Sequence, residues 1–343
     1  AATHLSPGIF NQGYYRNFFV EEKKLGRGLR GSVFLCQHVL DKIPLGLYAV
    51  KKVAVGDNKV WLERMLREVK LLETLRHPNI IDYKHSWIEL EQLTRFGPKV
   101  PCLFILMDCA NGGNLEEYIE GSAEPNGSES ASPHTNAQLP PTPTTPTDPR
   151  RRVRHLSLLQ IYTMFHDICQ GLLHLHTLGI IHRDIKPQNL LLHYSDHLHH
   201  HQHQHHRPSG KDPSAMPRVI LSDFGECEDM SHLEQRDRTG ATGTLEYMAP
   251  ELLQVDQRGR YLDAYSVKAD VWSLGMILYY LCYSKLPFTQ IDNVDILRSE
   301  ILGLHGIQMP AEGQVSIPRV VHELITTMLN PNPDNRPNVI DIL

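Results

Sequence analysis

Between His182 and Leu190 the chain reads His-Arg-Asp-Ile-Lys-Pro-Gln-Asn-Leu, and Asp223-Phe224-Gly225 follows downstream. Asp184 supplies a proton acceptor, Lys186 a cation and Asn189 an amide that can ligate a metal. Asp223 adds a carboxylate of the same use. Moving a phosphoryl group from a nucleotide to a hydroxyl asks for such a set, because the reaction needs positioning and charge neutralisation more than covalent help. Mg2+ prefers hard oxygen ligands, which an amide and a carboxylate both offer. Histidine invites a role as base, yet beside this set His182 reads as a packing residue, as does Phe224.

Residues so far apart in the chain must be brought together by several elements. Gly26-Arg27-Gly28-Leu29-Arg30-Gly31-Ser32-Val33 follows the pattern GxGxxGxV. It lies in a run from Phe18 to Val53 whose alternation and turn glycines predict twisted antiparallel strands. A glycine-rich hairpin lets backbone N–H groups approach phosphates. The missing GK[ST] ending excludes a Walker loop, and the strand setting counts against a dinucleotide site. Alternation also puts Ala49 and Lys51 on one strand face. Lys52 then faces the opposite way, as a solvated surface charge. From Lys59 to Leu75 the apolar residues Leu62, Met65, Leu66, Val69 and Leu72 have a helical period. Ser157 predicts the N-cap of a helix running to about Leu178, with Gly179 as its stop. Residues 1–17 read as irregular and aromatic-rich.

A chain of 343 residues is too long for one small core, so two lobes with insertions are expected. Its net charge of −5 gives no reason to expect nucleic acid as the main partner. The six cysteines are scattered without a CxxC pair, which suggests a reduced, intracellular and cytoplasmic setting. The apolar run from Val271 to Leu281 is too short to span a bilayer and predicts a buried core helix. The chain starts without Met, as a domain cut from a longer protein would. Residues 121–152 are rich in Ser, Thr, Pro, Asn and Gly and predict disorder. They hold Ser132-Pro133, Thr142-Pro143 and Thr145-Pro146, candidates for proline-directed phosphorylation, and end in a basic run from Arg150 to Arg154. The stretch 193–217 holds eight histidines within residues 193–206, which could bind Zn2+ or Ni2+ loosely.

Taken in order, these segments resemble the protein serine/threonine kinase domain, from about Phe18 to Leu343 apart from the two insertions. The resemblance implies an α+β, bilobal fold: a small antiparallel β lobe with one helix (18–108) after an extension (1–17), and a larger helical lobe (109–343). The insertions 121–152 and 193–217 belong to the second. ATP would lie in the cleft, against Leu25, Gly26, Gly28, Gly31, Val33, Ala49, Lys51, Met107, Asp108, Ala110 and Leu191. Lys51 would pair with Glu68, Asp184 would orient the hydroxyl proton, and Lys186 would neutralise the transferring phosphate. Asn189 and Asp223 would hold Mg2+. His182 would stack with Phe224, Leu72 and Tyr83, Glu251 would pair with Arg336, and Asp270 would hold the catalytic loop.

The resemblance also carries regulation and specificity. Arg183 before Asp184 implies activation by a phosphate at Thr239 or Thr242, added by an upstream kinase. Glu228 replaces a second phosphate-binding cation, for which Arg64 could compensate. Asn114 and Gln188 stand where kinases that favour basic substrates carry carboxylates, so a weak basic preference is expected. Cys109 reads as an ordinary hinge residue. The entry from Phe18 to Gly26, the region of Trp87 and the paired insertions look like a fungal orphan kinase of the Iks type, with relatedness to the initiation factor 2 α-subunit kinases as the alternative. A nucleotide-binding scaffold is the reading from a different class. Protein substrates are implied, but neither the physiological substrate nor the oligomeric state follows from the sequence.

Overall fold

The structure, a computed structural model, describes residues 5–28, 31–93, 97–121, 153–195, 216–229, 244–256, 258, 266–304, 306–310 and 316–343. After a short helix α1 (Tyr14–Phe18) come β1 (Phe19–Gly28), β2 (Gly31–Leu40) and β3 (Ile43–Ala54). Asp41 and Lys42 both turn at positive φ between β2 and β3, the geometry whose twist suits a two-residue hairpin loop. The helix α2 (Lys59–Thr74) leads to β4 (Tyr83–Gln92) and β5 (Lys99–Asp108). The five strands form one antiparallel sheet in the order β1-β2-β3-β5-β4. Asn58 caps α2 by accepting from Trp61 N. Leu62, Met65, Val69 and Leu72 are buried against the sheet, but Leu66 is exposed because the helix meets the sheet along a narrower seam than the sequence suggested.

The remainder is mainly helical: α3 (Leu115–Glu120), α4 (Leu158–Thr177), α5 (Val267–Tyr283), α6 (Val294–Leu302), α7 (Arg319–Met328) and α8 (Val339–Ile342). Short strands β6 (Ile180–Ile181), β7 (Leu190–His193), β8 (Arg218–Leu221) and β9 (Glu228–Asp229) form two small ladders, β7 with β8 and β6 with β9. Ser157 caps α4 in a reciprocal capping box with Gln160, as predicted, and Gly179 follows its end at φ 72°. Almost every side of α5 is buried, Trp272, Leu274 and Ile277 completely. A Cβ at Gly275 would stand 2.9 Å from the Leu329 side chain, so glycine lets α5 and the end of α7 approach closely. One apolar cluster runs from Val53 and α2 through to Val339. The architecture is thus α+β with two lobes.

Both insertions leave and re-enter at closed points. Arg154 N–H donates to Ile119 O at 2.7 Å and its guanidinium stacks 4.2 Å over Tyr118, so this end of the basic run is packed. His193 pairs with Arg218 across the β7–β8 ladder, which makes the histidine-rich stretch the extension of a hairpin. Residues 122–152 and 196–215 lie outside the described residues.

The outer face of the sheet departs from expectation. Residues 5–18 run across it as a 3-10 turn (Pro7–Ile9) and α1, instead of an irregular extension. Tyr15, Phe19, Cys36, Trp87 and Phe104 form a second buried cluster there. Lys52 points into this layer and is buried, not solvated. Its ammonium lies 2.6 Å from Glu21 Oε1, 3.6 Å from Glu91 Oε1 and 4.2 Å from the centre of the Tyr15 ring. Alternation placed the side chain correctly; the layer that covers it and gives the charge its partners was not foreseen.

Candidate active site

Strand β3 carries Lys51 into the cleft between the lobes, where burial would push its ammonium pKa down. The carboxylates of Asp223 and Glu68 outweigh this, and the pKa is raised. Lys51 Nζ stands 2.7 Å from Glu68 Oε1 on α2 and 3.1 Å from Asp223 Oδ1 after β8. Three elements far apart in sequence therefore meet at one cation. Burial pushes Asp223 up, but Lys51, with His182 and Lys186 nearby, outweighs it and holds the carboxyl below the usual range. Half of the Asp223 side-chain surface is open.

The catalytic loop is held from below. Asp270, fully buried on α5, accepts from the backbone N–H groups of His182 (2.8 Å) and Arg183 (2.9 Å) and lies 2.9 Å from His176 Nε2. Burial raises its pKa, and the His176 contact, with His182 and its backbone N–H, more than reverses that and holds it below the usual carboxylate range. Arg183 sits at φ 70° and Asp223 at φ 59°. Backbone held in this region by non-glycine residues stores strain and is common where geometry serves function. His182 Nδ1 accepts from Asp184 N–H at 3.3 Å, and its Nε2 lies 3.2 Å from Ser222 O. That pattern spends both nitrogens on the backbone and leaves the ring no part as a base. The ring lies 5.3 Å from Phe224, and Phe224, Leu72 and Tyr83 belong to one buried cluster, as expected.

Around Asp184 the polar groups converge. Lys186 Nζ is 2.8 Å from Asp184 Oδ2, and Asn189 donates its amide to Asp184 O (2.7 Å) and Oδ2 (2.9 Å). Both amide hydrogens of Asn189 are thus spent on Asp184, which leaves its Oδ1 as a ligand. Ser222 N donates to Asn189 O at 2.9 Å, placing Asn189 next to Asp223. Among the described residues no three or more His, Cys, Asp or Glu side chains form a metal cage. An amide and a carboxylate fit Mg2+, which binds through one or two protein oxygens, keeps waters and takes the rest from phosphates.

On the opposite wall, Val33 pairs with Lys51 and Ala49 with Met107 across the ladders. Gly26, Gly28 and Gly31 lie on the two strands of the glycine-rich hairpin, beside the exposed Leu25. A Cβ on Gly31 would meet Lys52 O at 2.1 Å, and one on Gly112 would meet Leu192 O at 2.5 Å. Gly112 N–H donates to that oxygen at 2.7 Å, and Leu191 bridges Asn114. Asp108 N–H donates to Asp82 O at 2.9 Å. Burial pushes the Cys109 thiol up, in keeping with an ordinary hinge residue.

Below the cleft, Glu251 and Arg336 form the expected buried pair, bidentate with both distances 2.7 Å. The amide of Gln188 donates to Glu116 Oε1 at 2.6 Å, so a carboxylate does reach the place where the sequence showed only amides. Sequence reasoning missed Glu116 because the contact joins residues on two elements with no shared motif. Asn114 instead caps α3. Thr239 and Thr242, and the side chains of Glu228 and Arg64, lie outside the described residues.

The model of the protein kinase domain matches residues 19–343. The chain belongs to the protein kinase family. A relative described as a probable serine/threonine-protein kinase, iksA of Dictyostelium discoideum, is 39% identical over 99% of this chain and 32% of its own length. A second probable serine/threonine-protein kinase of that organism is 28% identical over 96% of this chain and 18% of its own length. The eIF-2-alpha kinase GCN2 of Arabidopsis thaliana is 27% identical over 96% of this chain and 25% of its own length. The chain therefore spans a third or less of these relatives. The Iks-type resemblance holds, while its fungal assignment finds no support, since iksA is a Dictyostelium protein. This is a protein kinase domain, whose family uses ATP and Mg2+. Among the described residues no helix is long and apolar enough to cross a membrane.

Proposed function

We propose that this kinase domain transfers the γ-phosphate of ATP to serine and threonine hydroxyls of protein substrates inside the cell, with its residues in the following roles. Lys51, fixed by Glu68, orients the α- and β-phosphates. Leu25, Gly26, Gly28, Gly31 and Val33 cover the nucleotide, and Ala49, Met107, Asp108, Ala110 and Leu191 hold its base. Asn189 and Asp223 hold Mg2+, which neutralises charge on the phosphates. Asp184 accepts the hydroxyl proton, and Lys186, 2.8 Å from it, balances the charge that develops on the transferring group. The observation that carries this reading is the meeting of Lys51, Glu68 and Asp223 within 3.1 Å. Incubation with radiolabelled ATP, Mg2+ and a generic protein substrate should put label on serine and threonine, not tyrosine, and chelation of Mg2+ should stop it. ATP binding without any transfer would favour a nucleotide-binding scaffold instead.

Regulation belongs to the same reading. Arg183 precedes the base on a strained backbone, with its N–H held by Asp270, and a phosphate on Thr239 or Thr242 would pair with its guanidinium. The Thr239→Ala, Thr242→Ala double variant should lose activity by about tenfold, within the usual range of such couplings. Equal activity of the double variant and the wild type, with phosphates mapped by mass spectrometry, would remove this part. The 39% identity to iksA supports placement beside that kinase over the eIF-2-alpha kinase branch, at 27%.

A further inference from the structure

The segment from Leu5 to Phe18 makes contacts that an incidental extension has no need of. Phe10 forms a parallel bridge with Ile88, and Asn11 N–H donates to Ile88 O at 2.8 Å. Gln12 grips Leu90 twice, accepting from its N–H (2.9 Å) and donating to its carbonyl (3.1 Å). These bonds engage β4, an edge strand of the sheet, as an added strand would. Glu89, on the same strand and almost wholly buried, accepts from Gly13 N (2.9 Å), Tyr15 N (2.6 Å) and Trp87 Nε1 (2.7 Å). A buried carboxylate needs such donors, so β4 carries a receptor for this segment's backbone.

The other end of the segment reaches α2. Leu5 N–H donates to Asp57 Oδ1 at 2.8 Å, one residue before the Asn58 cap. Leu5 and Phe10 also pack against the cluster that contains Val55, Leu62, Met65 and Ile88. One short segment thus clamps β4 to the start of the helix whose Glu68 holds Lys51. A shift of α2 by one ångström would separate a 2.7 Å ion pair, and misplacement of that size costs rate steeply.

We propose that Leu5 to Phe18 is a positioning strap for phosphotransfer, which docks in cis on β4 and Asp57 and keeps α2 where Glu68 meets Lys51. The inference rests on the kinase reading for its effect on rate, but not for its effect on α2. Removing residues 1–12 leaves Gly13 and Tyr15 to serve Glu89 and the outer cluster, and cuts the link to Asp57. In the truncated protein kcat should fall about tenfold or more, while KM for the protein substrate stays within about threefold. Amide exchange over Lys59–Thr74 should quicken about tenfold. If truncation prevents folding, Phe10→Ala with Asp57→Ala should give the same pattern, and Phe10→Leu alone should keep most of the activity. Unchanged exchange over α2 in a folded strap variant would overturn the proposal. Quickened exchange in a protein that never transfers phosphate would uphold the strap and defeat the kinase reading.

Discussion

Asp184→Asn is expected to lower kcat by about 10²- to 10⁴-fold, the range that a positioned proton acceptor contributes. The substitution keeps the shape of the side chain and an oxygen that Asn189 can still reach from 2.9 Å. It removes the negative charge, and with it the acceptor for the hydroxyl proton and the counter-charge of Lys186. Affinity for ATP should change little, because the nucleotide contacts proposed above lie on Lys51, the glycine-rich hairpin and the segment from Met107 to Ala110. Radiolabel transfer under saturating ATP, beside a melting curve that shows the fold intact, measures the effect. A variant that retains more than about a tenth of the wild-type rate would show that Asp184 is not the base.

Arg336→Ala is expected to lower unfolding stability by about 3–5 kcal/mol, the cost of leaving one member of a buried pair alone. Arg336 is 2% exposed and uses its whole fork: two bonds to Glu251, others to Asn330 O and Lys268 O, and a face 5.0 Å from the Trp272 ring. Arg336→Lys should not restore it, since an ammonium has neither the fork nor the flat face. Pairing Glu251→Gln with Arg336→Met should recover part of the loss by removing both charges. Urea unfolding of the four proteins decides. A loss under about 1 kcal/mol for Arg336→Ala would place this pair with surface ion pairs, whose removal costs little.

The catalytic loop, Lys51, Glu68, Asp270 and the Glu251–Arg336 pair were legible because each lies in a short motif whose spacing is set by one element. The Ser157 cap and the buried character of α5 were legible from local pattern alone. Lys52 shows the limit. Period-two alternation tells which face a strand residue takes, but not whether another segment covers that face. The strap gave no signal of its own: α1 has five residues, too few to show a helical period, and its partner Glu89 lies 74 positions away. Leu66 failed for a related reason, since an apolar helical residue can fall just outside the seam. Glu116 escaped because its contact with Gln188 joins residues 72 positions apart on different elements.

The anchor between Glu251 and Arg336 also sets an order in time. The two residues are 85 positions apart, so at about 5–20 residues per second Arg336 is made about 4–17 s after Glu251. Asp184, Asn189 and Asp223 are all made before Glu251. Through that interval a growing chain holds its catalytic side chains but not the cation that Glu251 needs beneath them. A ribosome-bound chain is therefore an incomplete enzyme until almost all of this domain has been translated.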